Sequence, residues 1–155
     1  MPVLRSLGVL AAALLSAAAV AQPVDHREAK EFFARYVSLA NRQDPSLADQ
    51  YASDARIRAK QRLPNGSIRL IELTGEQYRK LIRQTYSGQV SQRDRNEYSD
   101  VVIESTASQT RIRAKRYSVH KCHWDLDYNI VIARQPDGRL RIVEENIDTH
   151  PQATC

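Results

Sequence analysis

Residues that could carry out acid–base chemistry lie near the end of the sequence, on a stretch that alternates polar and apolar side chains. Asp148 is a candidate general acid or base on this stretch, because a carboxyl group held against a substrate can exchange a proton with it. Arg116 or Tyr36 is the candidate group to stabilise the negative charge of an enolate formed in such a step. Side chains of these types could form an active site if the fold brings them together.

The pairing of the last strands places further side chains around this site. A turn predicted at residues 136–138 would pair Leu126 with Asp148 and Tyr128 with Asn146. Burying many polar groups on one face is costly unless they pair with each other or with a ligand, which favours a half-polar pocket. The alternative is that these groups lie in water at the strand ends. The candidate ligand-binding residues on this face are Arg116, Trp124, Tyr128, Glu144, Asn146 and His150.

Other reaction chemistries lack their characteristic residues. No histidine pair stands at helical i, i+4 spacing, and His120, Cys122 and His123 would need further ligands from elsewhere to hold a metal ion. The sequence has no phosphate-binding loop, serine nucleophile elbow or dinucleotide fingerprint. We therefore expect no metal site and no cofactor.

The two cysteines, Cys122 and Cys155, are expected to form a disulfide. The predicted strand pairing places Cys122 opposite residue 152, only a few residues from Cys155. An even number of cysteines in an exported chain also favours a disulfide. A bridge between two molecules through Cys155 is the alternative.

Residues 1–21 predict a secretory signal peptide. Arg5 precedes an apolar run from Leu7 to Val20, and Ala19-Val20-Ala21 is a small-x-small site that predicts cleavage after Ala21. The run is shorter than the roughly 20 residues that a membrane span needs, so we expect no membrane anchor. The mature protein is predicted to be periplasmic or secreted.

The remaining sequence, residues 22–155, has the size of one domain with one core. Only 5 glycines and 6 prolines occur in the 155 residues, which excludes collagen-like and low-complexity classes. Two capping boxes, Asp25 with Glu28 and Thr74 with Gln77, predict the starts of two helices. The first helix has a single apolar stripe, formed by Ala29, Phe32, Phe33, Tyr36, Val37 and Ala40.

Between these helices, Asp44-Pro45 predicts a short helix, and Pro64-Asn65-Gly66 predicts the turn of a hairpin. The rest of the chain predicts strands, because β-branched and aromatic residues alternate with polar ones. Helices on the concave face of a curved antiparallel sheet give an α+β class. The predicted strands are 55–63, 67–73, 97–106, 109–118, 122–135 and 139–150.

Basic residues alternate along two of these strands and are expected on the outer face of the sheet. The predicted pairing sets Arg113 opposite Asp127 and Lys115 opposite Asp125, so cross-strand charge pairs account for part of the pattern. No aromatic residues interleave with these charges, and we expect no binding of nucleic acid. The surface is then either simply solvated or the binding site of an acidic protein partner. The basic residues are Arg56, Arg58, Lys60, Arg62, Arg111, Arg113 and Lys115.

Two stretches of sequence, together with the order of elements, are typical of a known family. The first stretch includes Arg35-Tyr36-Val37 and Tyr51-Ala52-Ser53-Asp54-Ala55, with Asn41 and Asp44 between them. The second runs from Gly138 to Asp148 and contains Glu145. They resemble the nuclear transport factor 2-like superfamily, which includes ketosteroid isomerases and SnoaL-like polyketide cyclases, and Glu145 and Asp148 are set like the Glu and Asp of that family's closing strand. The resemblance implies a cone-shaped α+β domain over nearly the whole mature chain.

The resemblance also implies roles for single residues. In cyclase-like relatives the closing-strand Asp takes part in acid–base chemistry, and Asp148 matches it, but Asn146 occupies a position where a His often stands. Tyr36 matches the isomerase tyrosine that donates to a developing oxyanion. The isomerase's general-base position falls near Ala59, and alanine cannot take a proton. The resemblance therefore argues against steroid isomerase activity.

Three hypotheses for function follow. The first is an exported domain that binds a small molecule in its cone pocket without catalysis. The second is a cyclase, isomerase or dehydratase that uses Asp148. The third is a periplasmic protein-binding module that uses its basic outer sheet, and under each hypothesis the protein is a monomer or a homodimer.

Overall fold

Both capping boxes predicted from the sequence are present in the structure, a computed structural model that describes residues 23–87 and 95–150. Helix α1 (His26–Arg42) begins after Asp25, whose carboxylate accepts from the backbone N–H of Glu28 at 2.8 Å. Helix α2 (Gly75–Tyr86) begins after Thr74, whose hydroxyl accepts from the backbone N–H of Gln77. The predicted signal peptide and Cys155 lie outside the described residues.

The predicted short helix and hairpin lie between α1 and α2. A 3₁₀ helix (Pro45–Gln50) follows Asp44 and leads directly into β1 (Tyr51–Arg62). Strand β2 (Ile68–Thr74) then pairs with β1 in antiparallel fashion. Gly66 in the connecting turn has a φ of 82°, a left-handed conformation that glycine adopts without a steric penalty.

In the described residues after α2 there are five strands where the sequence predicted four. They are β3 (Asn96–Ser105), β4 (Thr110–Ser118), β5 (His123–Asp125), β6 (Asn129–Arg134) and β7 (Leu140–Thr149). The predicted single strand at 122–135 is wrong, because the chain turns at residues 126–128 and only then pairs again. The predicted turn before β7 is confirmed, with Gly138 at a φ of 79°.

The strands form one curled sheet in the order β2-β1-β7-β6-β4-β3, with β5 paired to the end of β4. Neighbours are antiparallel except β1 and β7, which run parallel, so the predicted antiparallel sheet contains one parallel pair. The parallel pair arises because the last described strand inserts between β1 and β6. The α+β class with helices on one face of a curved sheet is confirmed.

A β-bulge in β7 sets which side chains of this strand face the core. Val131 of β6 pairs with Glu144, but its neighbour Ile132 pairs with Ile142, so Val143 is an extra residue in β7. One extra residue reverses the alternation of the side chains that follow it. The predicted pairs of Leu126 with Asp148 and Tyr128 with Asn146 are therefore wrong, and Asn129 is the partner of Asn146.

The two helices pack on what we call the inner face of the sheet, and the opposite face is the outer face. The last turn of α1 also fixes the start of β3, since the amide of Asn41 exchanges two hydrogen bonds with the backbone of Asn96. No helix in residues 23–87 and 95–150 is long and apolar enough to cross a membrane. The largest apolar side chains that are almost completely buried are Phe32, Tyr51, Ile57, Ile112, Tyr128, Ile130, Ile132 and Ile142.

Candidate functional site

A carboxyl group lies at the centre of the core. Glu145, on β7, is 1% exposed and is surrounded by three tyrosines from three different elements. Tyr36 of α1 donates to Oε1 at 2.9 Å, and Tyr51 of β1 donates to Oε2 at 2.6 Å. Tyr128 donates to Oε1 at 2.9 Å and lies at the same distance from the hydroxyl of Tyr36. We call these four side chains the tyrosine–glutamate cluster.

The charge of Glu145 is set by opposing effects. Burial raises the pKa of Glu145, because a carboxylate loses its hydration in the core. The three tyrosine hydroxyls and the nearby Arg116 guanidinium act in the opposite direction. Burial, together with the charge of Glu145, also raises the pKa values of Tyr36, Tyr51 and Tyr128. The tyrosines therefore remain neutral donors.

Arg116 links this cluster to the end of the sheet. Its guanidinium carbon lies 5.1 Å from the ring centre of Tyr128, and its Nη2 donates to the backbone oxygen of Asp148 at 2.9 Å. The same nitrogen is 3.4 Å from the carboxylate of Asp125, which is buried. Asp125 in turn accepts from the backbone N–H of Asp148 at 2.7 Å. Burial raises the pKa of Asp125, and Arg116 counters that rise.

The tyrosine–glutamate cluster has little access to solvent. Tyr51, Tyr128 and Glu145 are at most 1% exposed, and Tyr36 is 5% exposed. A general acid or base must come within hydrogen-bond distance of its substrate, and in this conformation the carboxyl oxygens of Glu145 are occupied by tyrosines. The arrangement therefore acts as a satisfied polar network that joins α1, β1 and β7.

A cavity of about 210 Å³ lies on the other side of the sheet. We call it the sheet cavity. Strands β2, β1 and β7 form its floor, and the turn between β5 and β6 forms a wall. Its lining residues are Arg58, Ala59, Lys60, Leu70, Ile71, Glu72, Asp125, Asp127, Asn146, Ile147 and Asp148.

Most charges around the sheet cavity already have partners. Arg58 pairs with Glu72 at 3.2 Å on the neighbouring strand. Asp148 pairs with Arg62 at 2.9 Å. Lys60 and Asp127 differ, because their side chains make no hydrogen bond or ion pair with the described part of the chain.

The two predicted catalytic residues lie on opposite faces of the sheet. Tyr36 points to Glu145 in the core, whereas Asp148 shares the outer face with Lys60, its partner on β1. The structure therefore does not bring Asp148 and Tyr36 into one site. Asp148 also lies 3.5 Å from Nε2 of His123, whose pKa is lowered by burial and by His150.

The predicted ligand-binding residues are divided between the two faces. Arg116 and Tyr128 lie on the inner face, as expected. Trp124 was expected there too, but it is 50% exposed and packs against Tyr117, its partner on β4. The expected neighbour of Arg116 was Trp124, and the observed one is Asp125.

The bulge places Glu144 and Asn146 on the outer face. The amide of Asn146 donates to Glu144 at 3.0 Å and to Asn129 at 3.1 Å. Asn146 and Asp148 line the sheet cavity, and Glu144 does not. The ring of His150 lies 4.0 Å from that of His123 at the end of the sheet.

Three residues of interest were not among the predicted catalytic or ligand-binding residues, namely Glu145, Lys60 and Asp127. The sequence did point to Glu145, because it matched a family position on the closing strand. The predicted register, however, placed its side chain on the outer face of the sheet. Lys60 was one of several alternating basic residues, and only the three-dimensional pairing shows that it has no ion-pair partner among the described residues. Asp127 was expected opposite Arg113, which instead pairs with Glu104 at 2.6 Å.

The basic strands are largely neutralised by carboxylates. Lys115 was expected opposite Asp125 and instead pairs with Asp100 at 2.7 Å, while Arg111 lies 3.7 Å from Glu144. The partners of Arg113 and Lys115 lie on the edge strand β3, and that of Arg111 lies on β7. Within residues 23–87 and 95–150, no group of three or more His, Cys, Asp or Glu is placed to hold a metal ion.

Solved structures with similar folds belong to the nuclear transport factor 2-like class. An NTF2-like protein of unknown function from Pseudomonas putida has a TM-score of 0.61 at 11% identity, over 77% of this chain and 82% of that chain. An NTF2-like protein with a cystatin-like fold from Novosphingobium aromaticivorans has a TM-score of 0.54 at 16% identity, over 79% of each chain. A provisionally assigned ketosteroid isomerase from Parabacteroides distasonis has a TM-score of 0.52 at 13% identity, over 77% of this chain and 83% of that chain.

Comparison at the level of sequence gives no match. No protein-family model and no curated protein matches the chain. At such low identity the structural likeness shows a shared fold and carries no activity with it. It confirms the fold that the sequence predicted.

Proposed function

We propose that this chain, which has the nuclear transport factor 2-like fold, is a binding domain for a small molecule and holds it in the sheet cavity. The observation that carries the proposal is a concave site in which an exposed leucine, Leu70, lies beside two charged side chains, Lys60 and Asp127, that have no partner in residues 23–87 and 95–150. Ligand sites are typically concave and combine apolar walls with a few polar groups. Asn146 and Asp148, both expected near a ligand, line this cavity.

The cone pocket proposed from the sequence has less support. The inner face is occupied around Glu145 by the tyrosine–glutamate cluster, whose hydroxyl and carboxyl groups bind one another. A ligand there would have to displace these buried hydrogen bonds, which is costly. The sheet cavity needs no such rearrangement.

Catalysis by Asp148 and binding of an acidic protein are weaker alternatives. Asp148 is held in an ion pair with Arg62, and neither its expected helper Tyr36 nor a titratable residue at position 146 stands beside it. The basic strands are paired with carboxylates at Arg58, Arg111, Arg113 and Lys115, which reduces their attraction for an acidic partner.

A pair of tryptophan variants tests the proposed site. Leu70→Trp fills the sheet cavity, whereas Ile68→Trp adds the same ring on the same strand and face, outside the lining. Leu70 is 71% exposed and Ile68 is 53% exposed, so both variants should keep the fold. Each is checked by its melting curve before use.

Ligand-observed NMR with a small-molecule library then compares both variants with the wild type. We expect compounds whose binding is lost in Leu70→Trp and retained in Ile68→Trp. The proposal is wrong if no compound shows this difference, or if every bound compound is affected equally by the two substitutions.

Export is part of the same proposal. It is supported by the sequence of residues 1–21 alone. Expression of the full chain in a bacterial host, followed by mass spectrometry of the periplasmic fraction, should find a mature N-terminus at Gln22. Cytoplasmic protein that retains the segment up to Ala21, with none in the periplasm, would exclude export.

A further inference from the structure

The two charges of the sheet cavity that have no partner in the described part of the chain are of opposite sign. Lys60 lies on β1 at the floor, and Asp127 lies in the turn that forms the wall. Both side chains are exposed and neither is compensated within the described part of the chain. A ligand that carried only one charge would leave the other group without a partner.

The remaining charged residues of the lining are already satisfied. Arg58 and Glu72 neutralise each other, and Asp148 is bound by Arg62. Asp125 is buried and accepts from the backbone N–H groups of Asp127 and Asp148. The cavity therefore offers one cationic and one anionic group to a ligand.

The apolar part of the lining indicates that the ligand also carries an apolar group. Leu70 is 71% exposed on β2, and contact with an apolar group would remove that surface from water. The cavity, at about 210 Å³, is smaller than the roughly 300–1,000 Å³ of drug-sized sites. Its occupant must be correspondingly small.

We infer that the sheet cavity takes a small zwitterion with an apolar side chain, of the class of a free α-amino acid. Lys60 binds the carboxylate of the ligand, Asp127 binds its ammonium group, and Leu70 packs against its side chain. This inference rests on the proposed function and narrows it to one class of ligand.

Three related probes test the inference. L-Leucine carries both charges, N-acetyl-L-leucine lacks the ammonium group, and L-leucinamide lacks the carboxylate. Titration calorimetry or NMR titration of the wild type should show leucine binding about tenfold or more tightly than either analogue, because each lost ionic contact is worth at least about a factor of ten.

Two substitutions test which group of the ligand each charged side chain of the cavity binds. Lys60→Met should weaken leucine and N-acetyl-leucine by about tenfold and leave leucinamide unchanged. Asp127→Asn should weaken leucine and leucinamide and leave N-acetyl-leucine unchanged. Lys80→Met and Asp54→Asn make the same changes at exposed positions outside the cavity lining and should alter none of the three affinities.

The outcomes separate this inference from the proposed function. If the three probes bind equally, or if none of them binds, the zwitterion inference is wrong, and the tryptophan pair still decides whether the cavity holds another ligand. If leucine binds and Leu70→Trp does not affect it, leucine binds elsewhere and the zwitterion inference is wrong, while the compound library with the tryptophan pair still decides the proposed function.

Discussion

The hydroxyl of Tyr51 donates a 2.6 Å hydrogen bond to Oε2 of Glu145 and so ties the first residue of β1 to β7 from inside the core. The two residues are 94 positions apart in the sequence. Tyr36 and Tyr128 occupy the other carboxyl oxygen. Removing a donor leaves a buried acceptor with fewer partners, which costs more than the bond itself contributes.

Replacement of Tyr51 by phenylalanine should therefore destabilise the protein by about 1–3 kcal/mol. Tyr117→Phe is the matched control, since Tyr117 lies on the outer face and its hydroxyl has no hydrogen-bond partner in residues 23–87 and 95–150. The control should change stability by less than about 0.5 kcal/mol. Urea unfolding of both variants measures the difference, and equal effects would contradict a role for the cluster in stability.

Glu145 should also make stability depend on pH. Its folded-state pKa is raised above the ordinary value of 4.5, so over a window above pH 4.5 the folded chain keeps a proton that the unfolded chain has lost. Stability from this group is complete below the unfolded pKa and is lost as pH rises through the folded pKa.

Glu145→Gln isolates this contribution from that of Asp125, whose pKa is raised in the same direction. The free energy of unfolding of the wild type minus that of Glu145→Gln should fall as pH rises from about 4.5 and then level off. Urea titrations at a series of pH values provide the curve. A difference that stays constant or grows with pH would show the sign to be wrong.

Gly75, the first residue of α2, should not tolerate a side chain. A Cβ atom there would lie 2.9 Å from Cβ of Ala55 and would overlap the backbone oxygen of Ala52, which cannot rotate away. Gly75→Ala should therefore cost about 3 kcal/mol or more. Gly66→Ala, at a left-handed turn position with open space around it, should cost only about 1–2 kcal/mol. Thermal unfolding of the two variants checks the order, and a larger effect at Gly66 would refute it.

The disulfide between Cys122 and Cys155 stays a prediction, because Cys155 lies outside the described residues. If it forms, reduction should lower the melting temperature, since closing a loop of this kind stabilises a domain by at most roughly 3–4 kcal/mol. Non-reducing mass spectrometry of protein recovered from the periplasm identifies the bridge. Two free thiols or a covalent dimer would contradict the prediction.

Local features of the fold could be predicted from the sequence because they depend on neighbouring residues. The capping boxes at Asp25 and Thr74 each need only four residues to form. The hairpin turn at Gly66 and the turn at Gly138 likewise follow from the conformation that glycine allows. All four are present in the structure.

The site could not be predicted in the same way because it depends on register. Val143 is an ordinary strand residue, and nothing local marks it as the extra residue of a bulge. That residue turns Glu145 inward and Asn146 outward, which is the reverse of the expected arrangement. The sheet cavity further requires β1 to lie beside β7, a contact between distant parts of the chain.

The position of β7 also determines when the domain can form during its synthesis. Because β7 lies between β1 and β6, a nascent chain that ends before Leu140 has two separate pieces of sheet and no strand to join them. Tyr36, Tyr51 and Tyr128 then have no carboxylate to bind, and the sheet cavity has lost part of its floor. Folding of this domain must therefore wait until residues 140–149 have left the ribosome, and a chain interrupted before them should be a substrate for proteolysis.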